Sequence, residues 1–171
     1  MENLNYNQAM SYAVRLLSFR MRTAQEIAER LAKKDFEQET IAAVIRRLQE
    51  LGYINDHNYV ESYIRSKIKP TGSRRLQYEL INKGVAKDII DNQLAINYTP
   101  EQELAAARAL AEKLWRQEEK RVQSNVSNMQ ENELKQKTSQ KIAQKILNRG
   151  FSYSTVSQIM RQIAPDTLKN D

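Results

Sequence analysis

One pattern occurs three times in this chain and limits what it can fold into. Ile27-x-x-x-Leu31-x-x-Lys34-Asp35-Phe36, Leu76-x-x-x-Leu80-x-x-Lys83-Gly84-Val85 and Ile142-x-x-x-Ile146-x-x-Arg149-Gly150-Phe151 share the same offsets. A spacing of four puts both apolar side chains on one helix face. The basic residue falls in the last turn, the turn residue takes the chain out of the helix, and the apolar residue after it folds back onto the core. In the first and third copies the next helix matches as well: Ile41, Val44, Ile45 and Leu48 against Val156, Ile159, Met160 and Ile163. The second copy continues more loosely through Ile90 and Leu94. A unit that recurs in this way predicts a row of small modules, each packing mainly on its neighbours.

The rest of the chain agrees with an all-α fold. Period-two alternation is absent, and only four glycines and three prolines interrupt 171 residues, so short turns join helices. Apolar spacing predicts helices over about 7–19, 24–33, 38–51, 57–67, 73–82, 86–95 and 138–148, with others starting at Pro100 and at Ser154 or Thr155. Thr23 and Glu26 form a capping-box pattern for the second helix. Asp56 is placed to cap the fourth, and Thr99 the helix opened by Pro100. Residues 117–136 are rich in Gln, Asn, Ser, Glu and Lys, and read as a frayed helix end and a polar loop. Pro165 ends the ordered part. This gives three tandem three-helix (helix-turn-helix-like) repeats in an elongated, curved arrangement: 7–54, 55–98 and 99–165, the last holding the loop at about 117–136.

Charge and chemistry narrow the function. There is no cysteine and a single histidine, His57, so disulfides and the usual zinc sites are excluded. Gly72-Ser73-Arg74-Arg75 lacks the frame of a phosphate-binding loop. The carboxylates are scattered among Lys and Arg with no pairing for acid–base work. The expectation is a non-enzyme without metal or cofactor. No apolar run is long enough to span a membrane, and the first residues lack a basic segment followed by an apolar one, which points to a cytoplasmic protein.

The charge that remains is basic: 27 Lys and Arg against 21 Asp and Glu, a net +6. It is concentrated in two places. Arg65, Lys67, Lys69, Arg74 and Arg75 lie between Glu61 and Glu79 with no acid among them. Lys135, Lys137, Lys141, Lys145, Arg149 and Arg161 lie between Glu133 and Asp166, again with none. Lys137, Lys141, Lys145 and Arg149 recur every four residues, a basic stripe beside the apolar one. The two clusters could line one surface facing phosphates or acidic side chains. Tyr59, Tyr63 and Tyr78 lie near the first cluster and could stack on bases, although tyrosine in a small helical core is the commoner arrangement.

Four stretches resemble the RecX family, regulators of the bacterial RecA recombinase: Ala13-Val14-Arg15-Leu16-Leu17-Ser18-x-Arg20 with Arg22-Thr23-x-x-Glu26-Ile27; Gly52-Tyr53-Ile54-Asn55-Asp56 with Tyr59-Val60; Gly72-x-x-Arg75-Leu76-x-x-Glu79-Leu80-x-x-Lys83-Gly84; and Arg149-Gly150-Phe151. The resemblance spans about residues 9–163. Asp35 stands where the family often has Gly, and Asn55 where it often has Asp. The resemblance implies an all-helical, non-catalytic protein that docks in the groove of the RecA–DNA filament. Its presence would limit filament growth and reduce ATP hydrolysis, strand exchange and co-protease activity. It would act as a monomer, touching DNA weakly or through the filament. Charge selects Arg65, Lys67, Lys69, Arg74, Arg75, Lys141, Lys145 and Arg149 as the filament- or DNA-facing surface, ahead of Arg46 and Arg47. A competing reading is a stand-alone DNA-binding module, with Arg46-Arg47 or Arg161 on recognition helices. A helical scaffold for another protein is a third.

Overall fold

The three repeated stops all form, and by the same backbone geometry. At each, the chain turns through a residue of positive φ: Asp35 (60°), Gly84 (74°) and Gly150 (85°). The amides just past the helix double back on its last carbonyls. Phe36 N donates to Leu31 O, and Val85 N to Leu80 O at 3.2 Å. Gly52 (φ 74°) ends another helix the same way, with Tyr53 N donating to Leu48 O at 2.9 Å. These bonds satisfy carbonyls that a helix end leaves without partners. Asp35 adopts the conformation without being glycine, as short polar side chains can.

The computed structural model describes residues 2–67, 71–124 and 131–163. Among them the chain forms nine helices and no strand: α1 (Glu2–Phe19), α2 (Ala24–Ala32), α3 (Gln38–Glu50), α4 (Asp56–Lys67), α5 (Ser73–Ile81), α6 (Lys87–Asn97), α7 (Pro100–Ser124), α8 (Glu131–Leu147) and α9 (Tyr153–Ile163). Lys69, Pro70, the segment 125–130 and Pro165 lie outside the described residues. None of the described helices is long and apolar enough to cross a membrane.

By packing, the chain falls into two units, 1–65 with 78–95 and 66–77 with 96–171. The first has its core where α1, α2 and α3 meet. Ile27, Leu31, Val44 and Leu48 are fully buried there with Ala9 and Ala13, and Phe36 and Ile45 pack against them. The small alanines on α1 let its backbone approach closely. Each fully buried Ile or Leu is worth about 1.5–3 kcal/mol. The second unit repeats the arrangement with α7, α8 and α9. Ile142, Ile146, Phe151 and Ile159 are enclosed with Ala107 and Ala111 of α7. The six apolar positions that precede the stops in the repeated pattern, Ile27, Leu31, Leu76, Leu80, Ile142 and Ile146, have no exposed surface.

Three local expectations change. Asn55, not Asp56, caps α4: its Oδ1 accepts from Asn58 N at 3.1 Å. Asp56 is the first helical residue, and its Oδ1 accepts from Ala24 N at 3.2 Å, while burial pushes its pKa up. The Thr23–Glu26 box is half formed. Thr23 Oγ1 accepts from Glu26 N at 3.0 Å, but the Glu26 carboxylate takes Lys83 Nζ at 2.9 Å. By contrast Thr99 and Gln102 make a full reciprocal box at the start of α7. The segment read as a polar loop is helical over 117–124 and 131–136, because Gln, Glu, Lys and Arg are good helix formers even where no apolar stripe announces them. Bonds one turn apart support it: Trp115 Nε1 to Glu119 at 2.8 Å, and Lys137 to Glu133 at 2.8 Å.

Candidate interaction surface

The glycines at 72 and 150 decide which of the candidate cations come together. Gly72 N donates to Arg149 O at 2.9 Å, and Arg74 N to Gly150 O at 3.2 Å. The entry of α5 thus rests on the stop of α8, backbone against backbone. A Cβ on either glycine would lie well inside 3.0 Å of the other strand of the contact. Neighbouring bonds fix the segment. Ser73 N and Oγ both donate to Glu103 Oε1, at 3.3 and 3.0 Å, and the buried Tyr98 hydroxyl donates to Thr71 O at 2.9 Å. Burial drives the Tyr98 pKa far above its ordinary value. The result is that Arg74, Arg75 and Arg149, all exposed, ring one rigid junction. The amides at the α5 start are taken by protein oxygens, so this is not a helix end open to an anion; any recognition there belongs to the guanidinium groups.

The remaining candidates are placed differently. Lys141 and Lys145 do not form a bare stripe. Both reach Glu118 of α7, Lys141 Nζ to Oε2 at 2.9 Å and Lys145 Nζ to Oε1 at 2.8 Å, with Arg121 at 3.7 Å. The acid missing from the local sequence is supplied by a partner helix 23 and 27 residues away. Arg65 pairs with Glu61 at 2.5 Å, one turn back on α4. Lys67 is exposed, and Lys69 lies outside the described residues. Arg46 and Arg161 are exposed, and Arg47 pairs with Glu50 at 3.1 Å. His57 is exposed on the first turn of α4.

The tyrosines separate by burial. Tyr59 and Tyr63 stack at 6.1 Å, and Lys83 Nζ sits 5.9 and 5.7 Å from their ring centres. Tyr63 donates to Glu79 Oε2 at 2.6 Å. They belong to the packing around Lys83. Burial opposes the Lys83 charge, but its side-chain hydrogen bonds with Glu26 and Tyr59 outweigh it and its pKa stands above the usual lysine range. Tyr78, 66% exposed, is the one of the three open to solvent.

Glu118 gives a pH signature. Hydrogen bonds from Lys145 and Lys141 lower its pKa from 4.5 to about 2. A carboxylate depressed in the folded state adds stability above its unfolded pKa and loses it as pH falls through the folded one. Stability should therefore fall between about pH 4.5 and 2. Glu118→Gln should cost about 1 kcal/mol at neutral pH, since the two lysines are partly solvated and screened. Chemical denaturation should show the wild-type advantage shrinking below pH 4.5 and gone near pH 2.

Among the described residues no group of three His, Cys, Asp or Glu could hold a metal. Comparison with known proteins places the surface in context. Residues 9–48 match the family model of the RecX first three-helix domain, and 55–94 that of the second. Regulatory protein RecX of Clostridium perfringens is 33% identical over 151 residues, 88% of this chain and 66% of that protein. Its counterpart from Clostridium acetobutylicum is 30% identical over 164 residues, 95% of this chain and 72% of the relative. The chain thus spans about two thirds of the length of these relatives. The crystal structure of RecX from Lactobacillus salivarius superposes with a TM-score of 0.77 at 28% identity, covering 92% of this chain and 96% of that one. A sequence relationship of that extent, on the same all-helical fold, establishes that the chain belongs to the RecX family.

Proposed function

We propose that this chain is a negative regulator of RecA, binding the RecA–DNA filament in its groove. It limits filament growth and thereby lowers ATP hydrolysis, strand exchange and co-protease activity. It acts as a monomer without catalysis or cofactor, and meets DNA weakly or through the filament. The observation that carries this reading is kinship with proteins named regulatory protein RecX over 88–95% of the chain. The exposed arginines at the α5–α8 junction suit it, since guanidinium groups recognise carboxylates and phosphates in two-pronged fashion. Co-sedimentation with filaments preassembled on single-stranded DNA tests it. The chain should pellet with filaments at a salt concentration where it leaves bare DNA in the supernatant. A stand-alone DNA-binding module would instead bind bare DNA equally well, with a steep salt dependence.

A further inference from the structure

Helix α9 is divided lengthwise. Val156, Ile159 and Met160 face the core shared with α7 and α8. The opposite side presents two rows at a spacing of four: Tyr153, Ser157 and Arg161, and beside them Ser154, Gln158 and Gln162. These residues line an open groove of about 570 Å³. Tyr153 is 71% exposed, and Ser154, Gln158, Arg161 and Gln162 are exposed with it. Ser152 caps the helix, its Oγ accepting from Thr155 N at 3.1 Å and bonding Ser154 Oγ at 2.9 Å. Arg108 of α7 donates to Gln162 Oε1, which brings a second guanidinium to the end of the face. The side chains of Tyr153, Ser157, Gln158 and Arg161 make no hydrogen bond or ion pair among the described residues.

The equivalent faces of the other copies are built differently. The repeat register sets Tyr153, Ser154, Ser157, Gln158 and Arg161 against Gln38, Glu39, Ala42, Ala43 and Arg46 of α3. There two alanines replace hydrogen-bonding groups, and Glu39 stands about two turns before Arg46 on the same face. On α6 the same positions hold Lys87, Asp88, Asp91, Asn92 and Ala95. Lys87 is paired with Asp91, and Asp88 is exposed beside them. Helix α9 carries no carboxylate.

A face of this make-up fits a polyanion that also offers hydrogen bonds. Arg, Ser, Gln and Tyr donate to phosphates and contact base edges, and none of them repels a phosphate. A protein interface has an apolar centre, whereas only Tyr153 is aromatic here. Single strands are bound by stacking on several rings along a groove, and this face has one. The major groove of a duplex admits one α-helix and presents donors and acceptors to its side chains. Helix α9 follows α8 through the Arg149–Gly150 turn, as the second helix of a helix-turn-helix pair does.

We infer that the exposed face of α9 is the chain's own contact with DNA, lying in the major groove of a duplex with Arg161 on phosphate and Ser157 and Gln158 at base edges. This goes beyond the filament reading and does not require a filament.

Fluorescence anisotropy of a labelled mixed-sequence duplex at low salt tests it. Arg161→Gln should weaken binding about tenfold and lower the slope of log affinity against log salt by about 0.9, the loss of one phosphate contact. Gln158→Ala should weaken binding about threefold with the slope unchanged, since it removes a neutral hydrogen bond. Both positions are exposed, so both variants should unfold thermally with the wild type. Arg46→Gln removes the equivalent charge from α3 and should leave affinity within about twofold, as expected of a screened charge away from the contact. Arg161→Gln binding as the wild type does, or Arg46→Gln weakened as much as Arg161→Gln, would make the binding diffuse charge and overturn the assignment. Tighter binding to oligo(dT) than to duplex, or no binding to either, overturns it as well. Co-sedimentation with filaments is a separate readout. A wild type that binds duplex but stays out of the filament pellet keeps the α9 contact and loses the regulator reading.

Discussion

Gly72→Ala should lower stability by about 4 kcal/mol, among the largest effects a single methyl can have. Conformation is not the reason. A Cβ at this position would lie inside 3.0 Å of the Gly150 carbonyl carbon and oxygen and of Phe151 N. All three are backbone atoms, and Phe151 is 1% exposed in the core beside α8 and α9. Neither side can yield without losing the bonds from Gly72 N to Arg149 O and from Arg74 N to Gly150 O. Each buried bond lost costs about 1–3 kcal/mol where a partner is left unsatisfied. Gly52→Ala is the control. It has positive φ (74°) but no neighbour within 4 Å of a new Cβ, so it should cost only the conformational term of about 1–2 kcal/mol. Urea denaturation of the two variants separates them. Equal midpoints would mean that the close approach at Gly72 is not rigid.

Thr23→Val should cost about 2–3 kcal/mol although it preserves shape. The Thr23 side chain is fully buried and works in two directions at once. Its oxygen accepts from Glu26 N at 3.0 Å, capping α2, and its hydroxyl donates to Lys83 O at 2.7 Å. Losing a cap costs about 1 kcal/mol, and leaving the Lys83 carbonyl without its donor adds about 1–2 more. Thr23→Ser keeps both bonds and should recover most of the loss. The same denaturation series reads it, and a valine variant as stable as the serine one would show that the hydroxyl bonds little.

These two residues also show how far the sequence could be read. The repeated offsets were enough to fix the buried positions, because a helix must hide its apolar stripe and its stop must be followed by a returning apolar residue. Ile27, Leu31, Ile142 and Ile146 are buried as their spacing demands. What the helices rest on was not legible. Gly72 reads as a helix start, and nothing local tells that it touches Gly150, 78 positions on. Thr23 reads as a cap, but its second bond crosses 60 residues. The same limit applied to charge. Lys141 and Lys145 looked unopposed because their acid, Glu118, lies on another helix in a segment whose polarity read as loop. Sorting core tyrosines from Tyr78 likewise needed three-dimensional burial. The arginine cluster was half visible: Arg74 and Arg75 are adjacent in the chain, while Arg149 joins them only through the backbone contact.

The reading as a recombinase regulator is tested most directly by DNA-dependent ATP hydrolysis of the cognate RecA, with this protein titrated in at fixed moderate salt and with excess DNA as a control for sequestration. The account predicts inhibition well below one copy per recombinase protomer, unrelieved by the added DNA, because each bound chain restrains a growing polymer and not a single subunit. Hydrolysis that continues unchanged, or that is restored simply by adding DNA, would contradict it.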